Sequence, residues 1–274
     1  MSSTERLAEM AKKVKEDLAL RTHPLGVKFY KSKELDEELE KARRPLRNFN
    51  VRMPICQLVN ISRTYGWAVA MTLEDAYCIV GARVMGLIDE VPEYLFEDVA
   101  RFHAKDGEAG RAIWEGVEKR CLPLGSTHSV LISPLTRMKV QPDVIVMYGT
   151  PIQVAKLAKA FTWHGIFPEM TFIGAAACSS ISKAHLSGKP QLSVPCAGEV
   201  FLGRSEEDEM SIAFPAKLME DLVTGLEGTK LAFPYPAKFM IYEPRILISG
   251  YRITYKDYEE WKMRKGQGAS ASPK

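Results

Sequence analysis

Four cysteines stand in contexts suited to a binding site: Cys56 in MPICQLVN, Cys78 in DAYCIVGARVMG, Cys178 in IGAAACSSIS and Cys196 in SVPCAGEV. Each begins or abuts small residues, glycine or proline, which let backbone come close to a bound group. Four thiolates meeting at one point would form a soft, electron-rich pocket fit for a 4Fe–4S cluster or for zinc. The intervening stretches are 21, 99 and 17 residues long and contain no CxxC pair, so any convergence must come from the fold. Cys121, in KRCLPLG, is the reserve ligand or a separate thiol. Three cysteine ligands would leave an iron open for Lewis-acid chemistry, whereas four suit electron transfer. The competing reading is that these cysteines are simply core, since free Cys is among the most buried residue types.

A cluster held by four thiolates carries a net charge of about −2, as does zinc in the same cage. Arg63, Arg83 and Arg204 are the candidates to offset it. Arg63 leads, because Arg83 stands five residues after Cys78 and points off that helix face. Tyr65 and Trp67, in the Gly-containing turn between Cys56 and Cys78, are the leading aromatic pocket candidates. His164 ends a predicted helix, where the dipole favours a cation, and His185 reads as a surface residue near a helix C-terminus. No GxSxG elbow supports a serine nucleophile at Ser179 or Ser180.

The elements that must position these groups are legible in part. Ser2 and Glu5 form a capping box for a helix over residues 3–20, with Leu7, Met10, Ala11, Val14 and Leu18 at helical spacing. A strand is expected over Leu25–Tyr30, a charged helix over KELDEELEKARR, and a loop from there to Cys56. CQLVNISRTYG opens a helix; WAVAMTLEDAYC reads as strand and turn, delivering Cys78 to a second helix. Residues 92–118 are expected to be helical and to pack beside or over the site.

In the second half, SVLISPL and DVIVMYG are strand-length apolar runs, and Thr150-Pro151-Ile152-Gln153 carries cap, N1 proline and N3 glutamine in order. TFIGAAAC is read as a strand entering a turn, followed by a helix to Gly188. DEMSIAFP, KFMIYEP and ILISGYRI are further strands, and AKLMEDLVTGLEG a helix. Strands that follow one another before a helix intervenes predict an α+β fold: a mixed β-sheet with flanking helices and an N-terminal helical segment. Residues 1–264 are expected to form a single domain, with a subdivision near 120–126 as the alternative, and 265–274 a disordered tail.

The bulk numbers exclude several classes. The 274-residue chain has 37 basic and 34 acidic side chains, a balance that offers nucleic acid no electrostatic footprint. Its longest apolar runs are too short to span a bilayer, and its charged N-terminus lacks a secretory core, so a cytoplasmic location is expected. In that reducing compartment the cysteines are not expected to be disulfides.

The chain resembles the DUF169 family (the COG2043 group of bacterial and archaeal proteins) over roughly residues 8–255. The carrying segments are Pro24-Leu-Gly-Val-Lys-Phe, the Cys56 loop, and Cys78-Ile-Val-Gly-Ala-Arg-Val-Met-Gly-Leu. Pro142-Asp-Val-Ile-Val through Gln153, Gly174-Ala-Ala-Ala-Cys178 and Pro195-Cys196-Ala-Gly198-Glu199 complete the match. The resemblance implies cysteine-dependent proteins frequent among anaerobes and singles out the same four cysteines, with no settled activity attached. Glu199 departs from the family pattern, in which a basic residue often follows this glycine, and so argues against an anion site there.

The expectation is an iron–sulfur protein supporting a redox or Lewis-acid reaction on a small organic molecule in anaerobic metabolism, as an oxidoreductase or lyase. Its partners would be that substrate or a redox protein, and exposed sheet edges suggest a homo-oligomer. The alternatives are a metal or cofactor carrier serving a partner enzyme, and a small-molecule-binding domain with structural cysteines.

Overall fold

In the computed structural model, which describes residues 2–32, 37–171, 175–231, 233, 235, 252 and 254–268, the reciprocal N-terminal cap is formed. Glu5 N–H donates to Ser2 Oγ at 3.2 Å and Ser2 N–H to Glu5 Oε2 at 2.7 Å. Helix α1 (Ser3–Asp17) buries Leu7, Ala11 and Val14 along one stripe. It stops three residues short of the expected end because Ala19 takes a left-handed conformation, with φ of 50°. Gln153 then binds the released carbonyls of Leu18 and Ala19 through Nε2.

Among the described residues seven strands build one sheet: β1 (Leu25–Tyr30), β2 (Val69–Thr72), β3 (Ser129–Pro134), β4 (Val144–Gly149), β5 (Glu169–Thr171), β6 (Gln191–Ser193) and β7 (Met210–Pro215). Their order across the sheet is β2-β3-β1-β4-β7-β6-β5. Every neighbouring pair is antiparallel except β5–β6. The fold is α+β with a mixed sheet and flanking helices, as the strand-after-strand pattern predicts.

All six residues of β4 are buried, so this central strand is covered on both faces. Val144, Val146 and Tyr148 join the core cluster that also contains Cys178, Ile181 and Ala184. Ile145 pairs with Phe214, which meets Phe161 edge-on at 5.1 Å. Phe161 belongs to α7 (Pro151–Trp163), whose start is held by Thr150 N–H donating to Gln153 Oε1 at 2.7 Å. Helices α3 (Ile55–Tyr65) and α8 (Ala176–Ser187) pack on the Tyr148 face of the sheet and against each other. The run Ala-Ala-Cys-Ser-Ser-Ile-Ser makes that approach close, and Ser179, Ser180 and Ser182 are fully buried there.

The remaining elements are α2 (Glu37–Lys41), α4 (Ile79–Val84), α5 (Glu93–His103), α6 (Gly107–Glu118), α9 (Ala197–Phe201) and α10 (Met219–Gly228). The helical region 92–118 is a hairpin, broken where Asp106 caps α6 by accepting from Ala109 N–H. The loop expected before Cys56 contains a five-residue π-helical turn at Pro45–Phe49. The expected TFIGAAAC strand meets β5 only at Thr171, with 172–174 outside the described residues and Ala176–Cys178 opening α8. Strand β6 and helix α9 escaped the sequence reading because three and five residues carry too little periodicity.

Contacts divide the chain into Met1–Thr229 and Lys230–Lys274. In the second unit, α11 (Tyr255–Gly268) brings Tyr258 between the rings of Tyr255 and Trp261. Residues 265–268 of the expected tail continue this helix, and 269–274 lie outside the described residues, as do the two expected C-terminal strands apart from Arg252. No helix among the described residues is long and apolar enough to cross a membrane.

Candidate functional site

Each of the four cysteines sits at the start of a helix. Cys78 and Cys196 are the N-caps of α4 and α9, Cys56 is the second residue of α3, and Cys178 the third of α8. Helix starts present unpaired N–H groups and a partial positive charge, which favour anionic sulfur. The longer α3 and α8 supply most of that field.

Three junctions, two of backbone and one of a side chain, bring the four starts together. Met53 and Ala76 form an isolated parallel bridge, with Tyr77 N–H donating to Met53 O at 3.1 Å. That bridge aligns the approaches to Cys56 and Cys78, and buried Asp75 anchors it by accepting from Arg44, Thr72 and Leu46 N–H. Gly203 lies so close to α3 that a Cβ there would come within 3.0 Å of Cys56 O. The third junction is Glu199: its carboxylate accepts from Ala177 N–H at 2.9 Å, Cys196 N–H at 3.3 Å and Tyr148 Oη–H at 2.8 Å. One buried side chain thus ties the starts of α8 and α9 to the central strand.

The result is a cavity of about 590 Å³ with Cys56, Cys78, Cys178 and Cys196 all on its wall. A Cβ placed on Gly81 would lie 3.4 Å from Cys178 Sγ and 3.8 Å from Cys78 Sγ, so these sulfurs flank one methyl-sized space. Cys56 Sγ–H donates to Gly198 O at 3.4 Å, while a Cβ on Gly198 would sit 3.7 Å from Cys196 Sγ. Cys178 is buried and belongs to the core cluster, while the other three are half-buried on the cavity wall. Ala175, also on the wall, holds φ of 62°, a left-handed conformation costing an L-residue roughly 1–2 kcal/mol.

Without a cation these groups repel one another. Burial first, then the charges of Glu199, Cys196 and Cys78, push the Cys56 thiol up to about 12. Burial again leads for Cys178, followed by Cys56, Cys78, Cys196 and Glu199, and its thiol is raised well above the ordinary range. Burial also raises Glu199, partly offset by the hydrogen bonds from Tyr148, Cys196 and Ala177 and by the charge of Arg63. Cys56 in metal-free protein is therefore expected to alkylate well over ~10-fold more slowly than a free cysteine at pH 8, because only the thiolate reacts. Mass-spectrometric tracking of iodoacetamide adducts checks this, and a rate equal to that of a free cysteine would contradict it.

The other expected site residues lie elsewhere. Arg63 is buried, but both its terminal nitrogens bind Glu209, at 2.7 and 2.8 Å, and its guanidinium stacks 4.2 Å over the Tyr148 ring. It does not line the cavity, and acts on it through the Tyr148 that donates to Glu199 and through its charge on that carboxylate. Tyr65 is 62% exposed and packs on Trp67, which stacks with Phe49 and lies under Arg43, so neither aromatic lines the cavity. Cys121 is buried apart, donating to Val117 O at 3.4 Å. Arg83 binds Glu118 and Leu122 O, fastening α4 to the end of α6, and Arg204 is exposed. His185 is exposed against Phe29.

Sequence reasoning missed His103, Ile113 and Val117, which the helical hairpin adds to the wall together with Trp114. Their signal was the expectation that this hairpin packs over the site. It also missed Glu199, which was noted only as a departure and is in fact the clamp.

The donor set is four sulfurs, yet among the described residues no three Cys, His, Asp or Glu side chains are grouped to grip a single metal ion. A tetrahedral zinc needs its sulfurs about 3.8 Å apart, from a Zn–S bond of about 2.3 Å. Among the described residues the four thiols line one cavity and are not grouped for such a site.

A family model described as "Uncharacterised ArCR, COG2043" (DUF169) matches residues 13–225. Uncharacterized protein MJ0308 of Methanocaldococcus jannaschii is 24% identical over 230 residues, covering 81% of this chain and 94% of the relative. No solved structure matches.

Proposed function

The chain belongs to the DUF169 family, and we propose that it binds a 4Fe–4S cluster through Cys56, Cys78, Cys178 and Cys196 and acts on a small organic molecule in the same cavity. The observation that carries this reading is that four thiols, distant in sequence, meet on one cavity wall, each at a helix start. A cluster with four thiolate ligands supplies one-electron transfer when bound. The chain's own contribution is to hold the thiolates by Glu199 and the Met53–Ala76 bridge, to aim helix N-termini at their charge, and to exclude water with Ile55 and Val80. A wall this apolar and a volume within the roughly 300–1,000 Å³ of small-molecule pockets support the organic substrate. Raised thiols make loading a proton-releasing event, so affinity for iron should increase as pH rises.

Anaerobic purification, an absorption spectrum, and iron and sulfide analysis of one sample test the reading. A broad band near ~400 nm with iron and sulfide in roughly equal amounts supports it. Protein that stays colourless and iron-free after anaerobic reconstitution overturns it.

A sharper test separates the site from the fold. Gly81→Ala places a methyl group between the sulfurs of Cys78 and Cys178 at ordinary contact distances. It also improves a helical position by roughly 0.5–1 kcal/mol. The variant is expected to melt no lower than the parent while losing most of its iron loading. Full loading would show that this gap is not part of the site.

A further inference from the structure

Apart from the thiols, the cavity wall carries two ionisable side chains, Glu199 and His103, and no lysine or arginine among the described residues. Glu199 is 1% exposed and holds three hydrogen-bond donors, so it has no free charge to offer a ligand. The rest of the lining is apolar, including the indole of Trp114 and the side chains of Ile113 and Val117 on one face of α6. From this we infer that the organic ligand of the cavity is an uncharged molecule with an aromatic or aliphatic body. Phosphate esters, nucleotides and carboxylates are excluded as its class.

The reason is electrostatic. An anion entering here would find helix-start N–H groups already taken, those of Ala177 and Cys196 by Glu199 and that of Gly81 by Cys78 Sγ. It would be buried beside Glu199 and the thiols with no lysine or arginine to receive it. A cation would find its only carboxylate already engaged. An unpaired buried charge costs several kcal/mol, far more than apolar contact with one ring returns. His103, an exposed ring at the cavity, and the indole N–H of Trp114 are the wall side chains left to meet a hydroxyl or carbonyl on the ligand. Orientation would come from those few polar contacts, and affinity from the apolar wall.

This inference rests on the proposal that the cavity holds a small organic molecule, and it names the class. Its test uses three probes with one ring and different charge: benzyl alcohol, benzylamine and benzoate. Calorimetry on the full chain would be run both metal-free and after iron–sulfur reconstitution. Benzyl alcohol is expected to bind at least about 10-fold more tightly than either ion, with Trp114→Ala weakening it by about 10-fold.

Leu202→Lys, at a wall position already 40% exposed, places an ammonium at the cavity and should shift the preference toward benzoate by about 10-fold. Equal or tighter binding of benzoate or benzylamine by the parent chain overturns the inference. So does failure of benzyl alcohol to bind, or indifference to both substitutions. The metal-free arm keeps the two proposals apart. A chain that takes no iron but selects benzyl alcohol loses only the cluster, and a loaded chain that ignores it loses only the ligand class.

Discussion

Replacing Cys178 by serine is expected to lower iron retention by at least about 100-fold after anaerobic reconstitution and desalting. Even partners that merely orient a ligand change metal affinity by about 10–100-fold, and a lost thiolate sets that as a lower bound. Cys178 is the most buried of the four and lies across the Gly81 space from Cys78, so no neighbouring thiol can substitute without moving a helix start. Cys121 is not placed to replace it, because it is buried behind the wall residue Val117, donating to Val117 O, and does not line the cavity. Cys121→Ser is the matched control. It should keep its iron and lose about 1–3 kcal/mol of stability, the cost of burying a poorly paired hydroxyl. Equal iron in Cys178→Ser and the parent would remove Cys178 from the ligand set.

Arg63→Leu should destabilise the fold by about 3–5 kcal/mol, since it leaves the Glu209 carboxylate buried without its partner. Urea titration measures this. The double variant Arg63→Leu/Glu209→Leu should regain most of the loss, because removing both charges also removes the desolvation cost. The pH dependence gives a second check. Burial pushes Glu209 up, but the Arg63 hydrogen bonds, the Glu206 amide and the Arg63 charge outweigh it and leave its folded pKa below 4.5. A depressed carboxylate contributes stability that is present above its unfolded pKa and is lost as pH falls through the folded one.

The parent should therefore weaken below about pH 4.5, whereas the deficit of Arg63→Leu should shrink there, as the unpaired carboxylate becomes protonated. A cost under about 1 kcal/mol at pH 7 would show that water reaches Glu209. Because the guanidinium also lies over Tyr148, which donates to Glu199, the same variant should loosen the clamp on α8 and α9 and reduce iron loading.

Much of this protein was set by local chemistry and could be read from the chain. Ser2 with Glu5 and Thr150 with Pro151 and Gln153 specify helix starts because a cap needs only residues within one turn. The apolar run of β4, and the apolar centre of β3 between Ser129 and Ser133, announce strands covered on both faces. The four cysteines were singled out by their small-residue contexts, which are equally local. What the sequence could not settle was that they share a wall, because 99 residues separate Cys78 from Cys178 and no periodicity spans that distance.

Tertiary structure alone decided the roles of the two charged residues closest to the site. Arg63, read as a counter-charge, faces Glu209, a residue 146 positions away. Glu199, read as a departure from a family pattern, takes its donors from Cys196 nearby but also from Ala177 and Tyr148. A side chain's charge is written in the sequence. Which distant donor or acceptor occupies it depends on strand order and helix packing, and here those interactions convert an apparent countercharge into a buried pair and an apparent anomaly into the clamp of the site.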